Sequence, residues 1–252
     1  MATTFTTTDP QPNPERKLIA PLWHTIVFLV FVFGYSYSQR GRVGRFENQH
    51  VTNKVPFYLL TIAFELVLVA YVWFLGVRPA GGSFRALIGG KWNSAGDVLR
   101  DIGIAFVFWV IIIGPLVAVQ HFLGANTQMA KAAQIMSPQS TKEMIAWVFL
   151  AVAAGFCEEL VFRGYLQKQF HAISGSAALA IALQAVVFGA AHSYQGASGA
   201  VTITVYGALF GILAEYRKSL RPGMIQHAMQ DSFAGLAYGL LKRLGKLPGA
   251  YF

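Results

Sequence analysis

Seven apolar runs, each close to the length of a lipid-spanning helix, most constrain what this chain can fold into. A helix needs about 20 consecutive apolar residues to cross the hydrocarbon core of a bilayer. The predicted spans are Pro21–Ser38, Pro56–Val77, Leu99–Phe122, Lys142–Phe170, Ala177–His192, Gly199–Tyr216 and Pro222–Leu240. A transmembrane barrel would instead require short segments of alternating polarity, which are not seen. The predicted fold is therefore all-α, a polytopic membrane protein built as a bundle of about seven transmembrane helices.

Composition agrees with a membrane protein. The 252 residues are 55% hydrophobic and only 12% charged, whereas globular domains carry about 25% charged residues. The net charge of +9 is concentrated in the predicted loops, where basic residues meet anionic lipid headgroups, so we expect the lipid bilayer and no nucleic acid as partner. The single cysteine, Cys157, excludes an intrachain disulfide and a paired-cysteine metal site, and a small buried core residue is expected there.

The chain divides into a polar tail and one membrane domain. Residues 1–17 are rich in Thr and Pro and predict a disordered N-terminal tail. Residues 18–141 supply N-terminal transmembrane helices and a polar connector, residues 142–241 the helices that carry the candidate catalytic groups, and residues 242–252 a C-terminal tail. The protein is predicted to be integral to the cell membrane if bacterial, or to the endoplasmic reticulum if eukaryotic.

Three charged residues interrupt the fourth span within the stretch GFCEELVFRGYLQ. A charge at bilayer depth costs about 2.5–3.5 kcal/mol on insertion scales, so such residues are usually functional. Glu159 and Arg163 are four residues apart and share a helix face, which predicts a buried supporting ion pair. Glu158 lies about 100° around the helix and lacks that partner. We therefore expect Glu158 to be free to act as a general base.

Further polar residues occur in the later spans. His192 follows Phe188 by four residues, while His227 and Asp231 are four apart on one helix face. That spacing allows the carboxylate to orient the imidazole, or both groups to approach one ion or water. A structural hydrogen bond is the alternative for the second pair, and an interfacial position is the alternative for His192.

The three elements together resemble the CAAX protease and bacteriocin-processing family, also called Abi. The matching motifs are EExxxR at Glu158–Arg163, FxxxH at Phe188–His192 and HxxxN/D at His227–Asp231. The resemblance implies a glutamate-dependent or metal-dependent intramembrane endopeptidase that cleaves a membrane-associated peptide or a prenylated, CAAX-like protein. It implies that Glu158 activates the attacking water with help from His192. His227 and Asp231 would bind the oxyanion or the water, and Glu159 and Arg163 would support the site.

Asp231 departs from the asparagine of the eukaryotic members that the chain resembles. Asparagine can donate a hydrogen bond to an oxyanion, whereas ionised aspartate cannot. A metal ligand, a carboxylate that orients the histidine, or a protonated Asp231 is therefore favoured. The cofactor is unknown: a divalent metal such as zinc, held by His192, His227 and a carboxylate, is chemically acceptable, but the HExxH motif is absent.

Two other functions are compatible with the sequence. A proton- or ion-coupled transporter could use Glu65, Glu158 and Asp231 as a relay, although no inverted repeat is visible. Without that role, Glu65 is expected to make a structural hydrogen bond. A non-catalytic membrane scaffold or immunity factor could also retain the same motifs. In simple alternating spans His192 and His227 would emerge on opposite sides, so catalysis requires tilted or shortened helices around a polar intramembrane cavity open to one face.

Overall fold

The structure is a computed structural model that describes residues 17–39, 52–124 and 127–245. These residues form nine helices and no strand. The helices are α1 (Leu22–Ser38), α2 (Val55–Val77), α3 (Phe84–Ile88), α4 (Ala95–Leu123), α5 (Thr127–Met136), α6 (Thr141–Ser174), α7 (Ala177–Ala191), α8 (Ala197–Arg217) and α9 (Arg221–Arg243). The predicted all-α fold is confirmed. The predicted tails up to residue 16 and from residue 246 lie outside the described residues.

Four helices are long and apolar enough to cross a membrane, namely α2, α4, α6 and α8. The chain is therefore a polytopic helical membrane protein. Each of the seven predicted spans coincides with a helix, but α1 and α7 are apolar helices of only 17 and 15 residues. Helix α9 is long, with 23 residues, yet its central polar residues keep it out of the candidate spans found in the described part of the chain.

Several helix ends follow from local sequence. Ser140 and Glu143 form a reciprocal capping box at the start of α6, which satisfies two otherwise unpaired backbone N–H groups. Pro222 occupies the first turn of α9, where its missing N–H costs nothing. Between α6 and α7 the chain turns at Gly175, whose φ of 73° is readily adopted only without a Cβ.

Helix α6 is the central element, and its middle is not a regular α-helix. Residues Thr141–Glu158 are α-helical, Glu159–Gln167 form π-helical turns, and Lys168–Ser174 return to α-helix. All nine residues of the π-helical segment are buried. Wider turns of this kind are rare and occur often at functional sites. These turns start immediately after Glu158.

Neighbouring helices pack closely around α6. A Cβ added to Gly155 would lie 2.8 Å from the backbone N of Ala228 and the carbonyl oxygen of Met224, so glycine permits the close approach of α9. On the other side, the Gln169 side chain accepts hydrogen bonds from the backbone N–H groups of Ile19 and Ala20, which fixes the entry to α1. Cys157 is buried, as expected for a core residue.

Candidate active site

Glu158 is the point at which side chains from three helices meet. His192, just after the end of α7, has its Nε2 3.9 Å from Glu158 Oε1. His227, in α9, has its Nε2 3.8 Å from Glu158 Oε2. Both separations exceed direct hydrogen-bond distance. The Oε2 atom is buried and has no hydrogen-bond partner among the described residues. Each oxygen of the Glu158 carboxylate thus faces one imidazole ring.

The short length of α7 explains how His192 reaches this point. Fifteen helical residues span about 22 Å, less than the hydrocarbon thickness of a bilayer. The helix alone is too short to cross that thickness, and His192 at its end lies with His227 beside Glu158. The backbone carbonyl of Phe188 lies 2.9 Å from His192 Nδ1. This contact gives a structural reason for the four-residue spacing of FxxxH, because it turns Nε2 towards Glu158.

Glu159 orients His227 from the opposite side of the ring. Its Oε1 lies 3.1 Å from His227 Nδ1, within hydrogen-bond distance. The other ring nitrogen, Nε2, faces both Glu158 and Asp231, with Asp231 Oδ2 at 3.6 Å. Asp231 is thus not the hydrogen-bond partner that fixes the imidazole. That partner comes from 68 residues earlier in the chain, and no local spacing in the sequence could have indicated it.

Arg163 forms the buried base of the site. Its Nη1 lies 3.0 Å from Glu159 Oε1, so the ion pair predicted from the four-residue spacing is present. Its Nη2 donates to the carbonyl oxygen of Gly207 at 3.3 Å, and its guanidinium carbon lies 4.3 Å from the ring centre of Phe188 and 5.3 Å from that of Phe210. The Arg163 and Glu159 side chains are at most 1% exposed, so this ion pair is buried.

Asp231 is the most accessible of the predicted site residues, with a side chain 39% exposed. The side chains of Glu158 and His192 are 18% exposed, and that of His227 is 5% exposed. The indole Nε1 of Trp147 donates to the backbone carbonyl of Asp231 at 2.8 Å, which ties α9 to α6 beside the site. Nothing in the sequence pattern indicated this role for Trp147.

Glu65, in α2, is a further buried carboxylate close to these groups. It is 8% exposed, and it interacts electrostatically with Glu158, His227 and Asp231. Its Oε2 has no hydrogen-bond partner in the described part of the chain. The structural hydrogen bond expected from the sequence is therefore not made by this oxygen, and Glu65 places a further buried carboxyl group beside the site.

His192 and His227, the metal ligands predicted from the sequence, both direct Nε2 towards Glu158. A structural or catalytic zinc needs at least three protein ligands converging on one point. Within residues 17–39, 52–124 and 127–245, no group of three His, Cys, Asp or Glu side chains is arranged to hold a metal ion. A zinc ion held by His192, His227 and a carboxylate therefore stays a prediction.

An apolar groove adjoins the site at the outer surface of α4, α6 and α9. Its volume is 400 Å³. Its lining residues are Trp109, Val152, Ala228, Met229, Ser232 and Phe233. No residue of the cluster around Glu158 is among these lining residues, but Ala228 and Ser232 directly follow His227 and Asp231 in α9.

Comparison with known protein families assigns this region. Residues 140–233 match the family described as type II CAAX prenyl endopeptidase Rce1-like. The match begins at the residue that caps α6 and ends two residues after Asp231, so it contains every side chain of the cluster around Glu158. No curated protein and no solved structure shows a significant match to the chain. The chain therefore carries, over residues 140–233, a domain of the Rce1-like type II CAAX prenyl endopeptidase family of membrane proteases.

Proposed function

We propose that this protein is an intramembrane endopeptidase in which Glu158 activates a water molecule for attack on a peptide bond. The observation that carries the proposal is the convergence of His192 and His227 on the two oxygens of Glu158, at 3.9 and 3.8 Å. A carboxylate placed between two imidazoles can accept a proton from water while the rings bind the water and the substrate carbonyl.

The hydrogen bonds of the two histidines suggest different roles. His192 donates its Nδ1 proton to the Phe188 carbonyl, which leaves Nε2 as an acceptor that can hold the attacking water beside Glu158. His227 has carboxylates on both sides, with Glu159 at Nδ1 and with Glu158 and Asp231 at Nε2. These charges favour the protonated ring, whose Nε2–H can donate to a developing oxyanion.

The proposed reaction needs only proton transfers and one substitution at carbon. Glu158 takes a proton as the water oxygen bonds to the peptide carbonyl carbon, and the negative charge that develops on the carbonyl oxygen faces His227. Collapse of this intermediate breaks the C–N bond. The proton held by Glu158 passes to the leaving nitrogen, which restores the carboxylate. Glu159 and Arg163 act by keeping His227 in position, and no step is assigned to a metal ion.

A polar cavity open to one face of the membrane is part of this proposal. Hydrolysis requires water to reach Glu158, and the partial exposure of Glu158, His192 and Asp231 supports such access. We propose that residues 142–241 carry the catalytic groups and that residues 18–141 complete the same membrane domain. The N-terminal helices then close the cavity on the side of α2.

The proposed substrate is a membrane-associated peptide that carries a lipid, as in prenylated CAAX-like proteins. The membership of residues 140–233 in a prenyl endopeptidase family supports this class. The 400 Å³ apolar groove beside His227 and Asp231 offers a surface on which an isoprenoid chain can be buried while the peptide reaches Glu158. Burial of apolar surface stabilises such a complex by about 25 cal/mol per Å².

The decisive experiment compares Glu158→Gln with the unmodified protein, in detergent, on a farnesylated CAAX peptide. The amide has nearly the same size but cannot accept the water proton, so we expect turnover to fall about 10²–10⁴-fold. Glu215→Gln, which changes a carboxylate at the far end of α8, is the control and should retain turnover within about twofold. A folded Glu158→Gln protein with unchanged turnover would refute the proposed role.

A further inference from the structure

A second polar cluster lies at the end of the bundle where α4 begins and α8 ends. Its centre is Asp101, which is completely buried. Arg221 Nε lies 3.2 Å from Asp101 Oδ2, while Arg100 Nε and Arg217 Nη2 lie 3.7 and 3.8 Å from Oδ1. Trp92 donates its indole N–H to Asp101 Oδ2 at 2.7 Å. Three arginines from three helices thus surround one carboxylate.

The cluster has more positive charge than its carboxylates balance, and it contains buried guanidinium N–H groups without a hydrogen-bond partner among the described residues. Arg100 also pairs with Asp97 at 3.1 Å, so three guanidinium groups face two carboxylates and one positive charge is left over. Arg217 Nε, Arg221 Nη1 and Asp101 Oδ1 are buried without a hydrogen-bond partner among the described residues. Arg221 Nε makes the ion pair with Asp101 but no hydrogen bond in the same part of the chain. Buried donors of this kind are normally satisfied. An acceptor with several oxygens and one negative charge would complete the cluster.

An apolar groove leads away from this cluster along the outer face of α4. Its volume is 360 Å³, and Arg100 is the one charged residue among the described residues that line it. Its other lining residues are Gly103, Ile104, Val107, Phe108, Ile111 and Leu213. The α4 residues recur at intervals of three or four, so they form one stripe that extends about 16 Å from Arg100 to Ile111. Leu213 lies one helical turn before Arg217, which closes the groove from the side of α8.

We propose that this cluster and groove form a binding site for an anionic phospholipid, with the phosphodiester on Arg100, Arg217 and Arg221 and one acyl chain along α4. Arginine binds phosphate oxygens through paired N–H groups. One phosphodiester charge balances the unpaired positive charge. Helix α4 is a candidate membrane span that begins at Ala95, so Arg100 lies near the level of the headgroups and the groove near the level of the acyl chains.

The charge of the site selects among lipid headgroups. Phosphatidylglycerol has one negative charge at its phosphate and a neutral headgroup. Phosphatidylcholine has the same phosphate but adds a positive charge, which the arginines would repel. The site therefore prefers the anionic lipid. It is separate from the cluster around Glu158, because Arg221 precedes His227 by six residues, or about 9 Å along α9, and the site can be tested without any proteolytic activity.

The first test uses the full chain in detergent and measures lipid retention by native mass spectrometry together with the shift of the unfolding temperature. We expect phosphatidylglycerol to bind more tightly than phosphatidylcholine. Arg221→Gln and Arg217→Gln should each weaken phosphatidylglycerol binding about tenfold, since a charged hydrogen bond is lost. Arg100→Gln, which changes a side chain that is 50% exposed, tests the same site with less risk to folding. Arg243→Gln, at the other end of α9, is the control and should bind normally.

The second test blocks the groove. A Cβ added to Gly103 or to Gly114 meets no atom within 4 Å, so both positions in α4 accept a leucine, but only Gly103 lines the groove. We expect Gly103→Leu to weaken phosphatidylglycerol binding and Gly114→Leu to leave it unchanged. Inorganic phosphate at the same concentration should give no thermal shift. Any of three results would overturn the assignment of a phospholipid site. These are equal binding of the two lipids, arginine variants that bind phosphatidylglycerol normally, and binding of inorganic phosphate that Gly103→Leu does not change.

Discussion

Glu159 Oε1 lies within hydrogen-bond distance of His227 Nδ1 and within ion-pair distance of Arg163 Nη1, at 3.1 and 3.0 Å. One carboxylate oxygen therefore links the buried cation of α6 to the histidine of α9. In the proposed mechanism this contact gives the two adjacent glutamates different roles. Glu158 faces the exposed side of the cluster, whereas Glu159 fixes the ring that faces Glu158. The two side chains point about 100° apart around the helix because they are adjacent in sequence.

The first prediction concerns this buried link. Glu159→Gln should destabilise the protein by about 3–5 kcal/mol, because the charge of Arg163 is left buried without its counter-charge. Turnover of the remaining folded protein should also fall, since His227 loses the carboxylate that orients it. Thermal unfolding in detergent and turnover per folded molecule measure the two effects separately.

A double variant isolates the ion pair from the orienting role. When Glu159→Gln is combined with Arg163→Met, neither position carries a buried charge. We therefore expect much of the stability to return while turnover stays low. If the double variant recovered both stability and turnover, the contact between Glu159 and His227 would have no part in the reaction.

The second prediction concerns Asp231, where the chain departs from the asparagine of similar eukaryotic proteases. Asp231→Asn should retain turnover within about tenfold, because the amide can still contact His227 Nε2 and can also donate to an oxyanion. Asp231→Ala should lose about 10²-fold, the effect of removing one group that stabilises the transition state. Steady-state kinetics with a farnesylated peptide test both. Equal loss in the two variants would show that the negative charge itself is required.

The third prediction contrasts two buried carboxylates. Glu65 has an oxygen without a hydrogen-bond partner in the described residues, whereas Glu143 accepts hydrogen bonds from the backbone N–H groups of Lys54, Gln139 and Ser140. Glu65→Gln replaces an oxygen that makes no hydrogen bond within that part of the chain, so the free energy of unfolding should change by less than about 1 kcal/mol. Glu143→Gln weakens hydrogen bonds from three backbone N–H groups and should lower it by about 2 kcal/mol. Unfolding temperatures of the two variants give the comparison. Strong destabilisation by Glu65→Gln would instead restore the structural hydrogen bond expected from the sequence.

Local sequence predicts some features of the fold and the site but not others. The start of α6 and the Glu159–Arg163 ion pair depend on residues three or four apart, so local helix geometry determines them. The predicted seven apolar runs all coincide with helices, although only four meet the length and composition of a membrane span. The position of His192 beside His227 and the hydrogen bond between Glu159 and His227 depend on contacts between distant segments. The π-helical turns of α6 were not predicted, because helical periodicity indicates only a regular helix.

The fourth prediction concerns the glycine that brings α9 close to α6. In Gly155→Leu the new side chain would collide with the backbone of α9 at Ala228 and Met224. We expect a loss of about 1–3 kcal/mol of stability and a larger loss of turnover, since His227 would move away from Glu158. Gly34→Leu is the matched control, because a Cβ there meets no atom within 4 Å. Unchanged activity of Gly155→Leu would contradict the dependence of the site on this close approach.

The last prediction separates the two chemical routes that the motifs allow. The described residues place His192 and His227 on either side of Glu158 but do not arrange three ligands around a metal, so the proposed mechanism relies on Glu158 and the two imidazoles alone. We therefore expect turnover to persist after treatment with a zinc chelator, and added zinc to inhibit by occupying the imidazole nitrogens that must contact water and substrate. Turnover before and after chelation, with metal content measured on the same samples, decides the question. Loss of turnover on chelation and its recovery with one equivalent of zinc would require the side chains around Glu158 to rearrange into a metal centre and would replace the proposed mechanism.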